Sequence, residues 1–194
     1  MSRNFFTVET AAARDGWKTH LLRGHDSEPY YDWLVHVGSL TGRLRQRCDD
    51  FRVALLRQEL ARPGRDEWAG LHLAHRDLAW VREVVLYCAD TPMVFAHSVL
   101  PRGGVRGAWH LVAGLGTRPL GAILFADPLI RRMPFAYRRI DARHALYHKA
   151  VRAAYDDGGK APPGLWARRS EFRRGGRPIL VTEIFLPEIL KLNP

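Results

Sequence analysis

The clearest hydrophobic pattern in the chain lies between Arg177 and Pro187, where the text reads Arg-Pro-Ile-Leu-Val-Thr-Glu-Ile-Phe-Leu-Pro. Its interior is β-branched and large apolar residues between two prolines, the composition of a strand. Side chains alternate along a pleated strand, so Ile179, Val181, Glu183 and Phe185 share one face and Leu180, Thr182, Ile184 and Leu186 the other. Both faces are largely apolar, which predicts a strand buried on both sides with Glu183 inside. Residues 79–88 have the same texture, with Ala89-Asp-Thr-Pro92 as a turn and residues 93–100 as the returning strand. On the first of these strands Arg82 lies on the apolar face of Val84, Leu86 and Cys88.

The remaining text supplies the partners. Residues 51–60 read as a first strand, and residues 165–174 pair with 178–186 around Gly175-Gly176, a tight-turn signal. Asp32-Trp-Leu-Val35 reads as a short helix, and Ser39 caps a second that begins at Leu40 and runs to about Arg47. Residues 108–115 and 120–126 read as helices separated by Gly116-Thr-Arg-Pro119, with Pro119 in the first turn of the second. The connection 61–78 holds one helical turn, residues 131–143 are basic and extended, and residues 142–154 form a surface helix. Strands that follow one another as hairpins, without crossover helices, predict an antiparallel sheet in a single-domain α+β fold. Residues 1–29 are expected to be a variable lead-in, and 30–194 the domain.

Composition narrows the classes. A chain of 194 residues is one domain with a sizeable core, and its 46% hydrophobic and 26% charged content is that of an ordinary globule. No apolar run approaches the ~20 residues of a membrane span, and the N-terminus has no signal-peptide core, so a cytoplasmic location without stable membrane insertion is expected. Cys48 and Cys88 lack metal-ligand spacing and are expected to be free thiols in a reducing compartment. The net charge of +10 attracts anions. The arginines are spread along the chain and no nucleic-acid-binding signature is present, so a nucleic-acid partner is not expected.

Two residues carry candidate chemistry. A buried, unpaired carboxylate costs several kcal/mol, so Glu183 needs a proton, a cation or a ligand. Arg82 is the cation on a comparable strand face. Either the two pair with each other, or both face a small anion lying between them, a task for which the planar guanidinium fork is suited. Leu40 reads by default as core. His144 and His148 stand four apart but have no third ligand at useful spacing, so they read as solvated and no metal site is expected. Gly114-Leu-Gly116 lacks the lysine-serine ending of a phosphate loop.

Four separated strings are similar to a known family. Trp80-Val-Arg-Glu-Val-Val-Leu-Tyr-Cys-Ala-Asp90, Gly116-Thr-Arg-Pro-Leu-Gly-Ala-Ile-Leu-Phe125, Gly164-Leu-Trp-Ala-Arg-Arg-Ser170 and Pro178-Ile-Leu-Val-Thr-Glu-Ile-Phe-Leu-Pro187 resemble bacterial chorismate lyase, in that order. The resemblance covers roughly residues 30–187. It implies an antiparallel sheet with helices packed on one side and a cofactor-free enzyme making 4-hydroxybenzoate and pyruvate from chorismate, the first step of ubiquinone synthesis. It matches Arg82 to the family's carboxylate-binding arginine, Glu183 to its essential acid and Leu120 to a backbone contact with substrate. Leu40 falls where the enterobacterial enzymes commonly have methionine. The implied partners are chorismate and 4-hydroxybenzoate, and the implied state is a monomer. A buried site needs mobile segments, for which the connection 61–78 and the region around Leu40 are candidates. The rival from another class is a non-catalytic ligand-binding domain of the same fold, as in GntR-type regulators. That rival would be expected to follow a winged-helix domain, for which 30 residues are too few.

Overall fold

The computed structural model describes residues 15–105, 107–155 and 158–192. Seven strands, β1 (Phe51–Ala61), β2 (Ala79–Cys88), β3 (Thr91–Pro101), β4 (Ile130–Arg132), β5 (Ala136–Ile140), β6 (Leu165–Arg174) and β7 (Arg177–Phe185), form one sheet. Their order is β1-β2-β3-β7-β6-β4, β5 also pairs with β6, and every pairing is antiparallel. β7, whose two faces are apolar in the sequence, lies beside β3 at the centre of the sheet. The β6–β7 turn is Gly175-Gly176, with left-handed φ values of 54° and 76° that side chains resist.

Among the described residues, seven short α-helices cover the sheet: α1 (Tyr31–Val35), α2 (Leu40–Arg45), α3 (Trp68–Leu71), α4 (Arg102–Val105), α5 (His110–Ala113), α6 (Leu120–Ala126) and α7 (Ala145–Tyr155). Ser39 caps α2 as expected, its hydroxyl accepting from the Gly42 amide at 3.1 Å. Pro119 stands one residue before α6, at its N-cap.

The α+β class and the antiparallel sheet agree with the sequence reading, but the layering differs from the one-sided arrangement the resemblance implies. On the face carrying Arg82 and Glu183, here the front, α1 and α2 place Trp33, Leu34, Leu40 and Leu44 against Val84, Leu86 and Phe185. Beside them, Trp109, Leu120 and Leu124 pack on Leu100, Phe172 and Ile179. On the back, α7 lays Leu146, Tyr147 and Ala150 over Val85, Phe95, Ala167 and Ile184. Leu71 of α3 fills the rest of that face against Ala79, Val81, Val99 and Leu180. A sheet apolar on both sides needs cover on both.

Two further expectations are corrected, those for the helix at 145–155 and for the cysteines, and the lead-in adds to the core. The helix at 145–155 is half-buried through its apolar stripe and is not a surface helix, and His144 before it is buried too. The lead-in contributes to the core: Trp17 is buried with α7, and Lys18 forms a β-bridge with Tyr137. Cys48 and Cys88 are bonded to each other, with Cα atoms 5.6 Å apart. The β1–β2 register sets Phe51 opposite Cys88, and Cys48, three residues ahead of Phe51, is carried to the same sheet edge. The expectation for residues 1–14 lies outside the described residues.

Candidate active site

The front of β2, β3, β6 and β7 is the floor of a cavity of about 650 Å³, its open mouth included. Val84, Leu86, Ala96 and Val181 make the floor apolar, and residues 38–41 and 119–125 form the roof. The two roof segments meet closely at Gly121, where a Cβ would come within 3.1 Å of Ser39 Oγ and 3.5 Å of Thr41 Oγ1. All four residues singled out from the sequence, Leu40, Arg82, Leu120 and Glu183, line this one cavity.

Arg82 is 2% exposed. Its Nη2 donates to the carbonyls of Gly116 at 2.9 Å and Arg118 at 3.0 Å, which pins the segment leading into α6. Its Nε has no hydrogen-bond partner, and no carboxylate among the described residues pairs with it. Burial pulls its pKa down to about 10, so the guanidinium stays charged at neutral pH.

Glu183 does not pair with Arg82. Its Oε2 accepts from Nε of Arg168 at 2.6 Å, and its side chain keeps 19% exposure in the cavity. Arg168 is 1% exposed. Its Nη1 donates to the carbonyls of Trp33 at 3.0 Å, Leu34 at 3.1 Å and His36 at 2.7 Å, groups that the end of α1 leaves without helical partners. One arginine thus orients the acid and ties down the segment running into the roof. A third guanidinium, Arg132, lies 4.4 Å from the centre of the Phe135 ring.

The cavity therefore presents three guanidiniums and one carboxylate on largely apolar walls. Such a site attracts small multivalent anions, and its low-polarity walls focus the field.

Residues 25–192 match the family model described as chorismate lyase. The chain belongs to the chorismate lyase family. A relative from Aromatoleum aromaticum, named "Probable chorismate pyruvate-lyase", is 54% identical over 82% of this chain and 85% of its own. One of the same name from Thiobacillus denitrificans is 46% identical over 93% of each chain. Among solved structures, the effector domain of PhnF from Mycobacterium smegmatis aligns with a TM-score of 0.51 at 13% identity, over 79% of this chain and 91% of that one. The C-terminal domain of the histidine utilization repressor from Pseudomonas syringae aligns at 0.50 and 13%, over 75% and 97%. At these identities the structural likeness concerns the fold alone.

Set within this chorismate lyase fold, the residues that sequence reasoning missed are Arg168 and Arg132. Arg168 had a usable signal. A two-residue turn at Gly175-Gly176 fixes the ladder, and counting back along it sets Arg168 directly opposite Glu183. Arg132 had none, because it reaches the cavity from the short edge strand β4.

The connection 61–78, a candidate mobile cover, is on the other side of the sheet. It buries Leu71 and Glu67 on the back face, away from the cavity. There a second polar cluster forms from the residues next to the front-facing arginines. Glu83 accepts from His97 Nδ1 at 3.0 Å and from Lys149 Nζ at 2.5 Å, and His97 Nε2 lies 3.0 Å from Glu67 Oε1. Burial alone would lower the His97 pKa, but Glu67 and Glu83 outweigh it and hold the imidazolium to about 9. Burial would likewise raise Glu83, yet His97 and Lys149 bring it down to about 2. Arg169 pairs with Asp66 at 3.1 Å, and Asp66 also accepts from Trp17 Nε1 at 2.9 Å. These contacts fasten the connection, α7 and the lead-in to the back of the sheet. His144 lies 3.6 Å from Asp66 while His148 bonds the Ala142 carbonyl, so the two histidines do not converge. Among the described residues no group of three or more His, Cys, Asp or Glu is arranged to hold a metal ion, and no helix is long and apolar enough to cross a membrane.

Proposed function

We propose that this chain converts chorismate to 4-hydroxybenzoate and pyruvate, the first step of ubiquinone synthesis, without metal or organic cofactor. The observation that carries the reading is Arg82: a buried guanidinium with a free Nε and no carboxylate partner among the described residues, lining the same cavity as Glu183. A desolvated cation in that condition is completed by an anionic ligand.

Chorismate brings two carboxylates, an enolpyruvyl ether and an allylic hydroxyl. The bond from ring carbon to ether oxygen breaks, and the bond's electron pair leaves with the enolpyruvyl oxygen. The hydrogen on the hydroxyl-bearing carbon departs as a proton, its electron pair completes the aromatic ring, and enolpyruvate takes up a proton to become pyruvate. Aromatisation drives the step, so the protein's work is to position the ring and to stabilise charge. In this reading Arg82 binds the ring carboxylate, Leu40 and Leu120 bound the ring, and Glu183 accepts a hydrogen bond from the ring hydroxyl. Arg168 donates to one Glu183 oxygen and fixes the carboxylate's orientation, which leaves the other oxygen to the ring hydroxyl and favours the orienting role.

The test is incubation of the purified protein with chorismate in EDTA, following 4-hydroxybenzoate absorbance and pyruvate. Turnover unaffected by the chelator is expected. Chorismate bound but never converted would make the chain a binding domain of the same fold. Activity lost to EDTA and restored by one metal would overturn the cofactor-free reading.

A further inference from the structure

The cavity holds one more cation than the assignments above use. Arg168 is committed, its Nε to Glu183 and its Nη1 to three main-chain carbonyls. Arg82 is the fixed cation deep against the sheet. Arg132 is different. It is half-buried at the end of β4, opposite Phe172 in the ladder to β6, and it lines the cavity. Its guanidinium stacks on aromatic rings, 4.4 Å from the centre of Phe135 and 5.8 Å from that of Phe125, both cavity residues. No carboxylate among the described residues is paired with it.

We propose that Arg132 is the specificity-determining residue of this pocket, binding the second carboxylate of the substrate, the one carried on the three-carbon ether side chain. The inference rests on the chorismate lyase reading and extends it. Stacking on a ring leaves the edges of a guanidinium open, and those edges match a carboxylate. Arg132 is also the cation with an unmet need. Burial and then the neighbouring Arg168 lower its pKa, Glu183 only partly opposes them, and an incoming anion relieves both costs.

The consequence is a division of labour. The substrate is a dianion and uses both Arg82 and Arg132. After cleavage the side-chain carboxylate leaves with pyruvate, and the aromatic product retains only the carboxylate held by Arg82. Arg132 therefore contributes to affinity for the substrate and not to affinity for the product.

The experiment compares Arg132→Gln with wild type, using two probes that do not react. One is 4-hydroxybenzoate. The other is 4-hydroxybenzoate carrying a carboxymethyl ether beside its hydroxyl, a stable dianion. Calorimetric Kd values are measured for both, and KM for chorismate alongside. Arg132→Gln is expected to weaken the dianion and raise KM by about 10- to 100-fold, the range for losing a hydrogen-bonded charge, while the Kd of 4-hydroxybenzoate stays within about twofold. Arg132→Lys is expected to recover part of the dianion affinity. Equal weakening of both probes would assign Arg132 to the shape of the pocket, and unchanged dianion affinity would remove it from recognition. Either result overturns the proposal. Failure of wild type to form product would instead defeat the lyase reading, while the two probes would still report on Arg132.

Discussion

Arg168 and Glu183 face each other across the β6–β7 ladder, Nε to Oε2 at 2.6 Å, with the arginine almost wholly excluded from water. The acid assigned to substrate is thus held by a cation that also ties three main-chain carbonyls at the end of α1. Removing one partner of a buried pair leaves the other uncompensated. Arg168→Met is expected to destabilise the fold by about 3–5 kcal/mol, and Arg168→Met with Glu183→Gln by less. Chemical denaturation of the single and double variants measures this. Equal destabilisation by the two would show that the carbonyl bonds, and not the acid, set the cost.

Arg82→Ala is expected to lose ligand affinity far more than stability. Among the described residues no acid is orphaned by the change, because Glu183 has its own partner. Loss of a desolvated guanidinium–carboxylate contact typically costs about 2–5 kcal/mol. KM for chorismate and Kd for 4-hydroxybenzoate should rise together, which sets this residue apart from Arg132. A large fall in melting temperature with unchanged affinities would make Arg82 a purely structural clamp on residues 116–118.

Glu183→Gln keeps shape and removes charge. With Glu183 orienting the substrate hydroxyl, kcat should fall about 10- to 100-fold, the value of one charge-assisted hydrogen bond, while 4-hydroxybenzoate still binds. A loss approaching 10⁴-fold would indicate general-base catalysis. Wild-type turnover with wild-type product affinity would place the chemistry elsewhere.

The back-face cluster predicts a pH dependence of stability. His97 is raised from 6.5 to about 9 in the folded chain, facing Glu67 and Glu83, with Lys149 on the far side of Glu83. Its contribution is complete below pH ~6.5 and is lost as pH rises through about 9. Glu83, lowered from 4.5 to about 2, contributes above pH ~4.5 and ceases to as pH falls toward 2. A melting-temperature scan should therefore decline above pH ~6.5 in wild type and decline less over the same range in His97→Gln. Parallel curves would separate the imidazolium from stability.

The Cys48–Cys88 bond closes a loop over a sequence separation of 40. Thiol titration of unreduced, denatured protein should find neither thiol free, and reduction should cost about 2–4 kcal/mol. Two titratable thiols with an unchanged melting temperature would restore the free-thiol reading.

The sheet was legible because its evidence is local. Period-two alternation, turn residues and proline punctuation lie within each strand, and a two-residue turn transmits register to its partner without help from the rest of the chain. For the same reason the faces of Arg82 and Glu183 were readable, as was the Ser39 cap. Their companions were less so. Arg168 was within reach through the hairpin register, whereas Arg132 sits on a three-residue strand with too little pattern to orient it.

By itself the amino-acid text determined the α+β class, the main hairpins and the two apolar strand faces on which a cation and an acid stand. Whether those two ions pair was a question of distance between β2 and β7, strands separated in the sheet by β3, and no local pattern encodes that. Tertiary structure decided it by supplying Arg168 to the acid and main-chain carbonyls to Arg82. It likewise decided that Trp17 and α7 cover the back, that residues 61–78 lie away from the cavity, and that the two cysteines meet. Each of these is a long-range contact, and side-chain periodicity records which face a residue takes but not what arrives there.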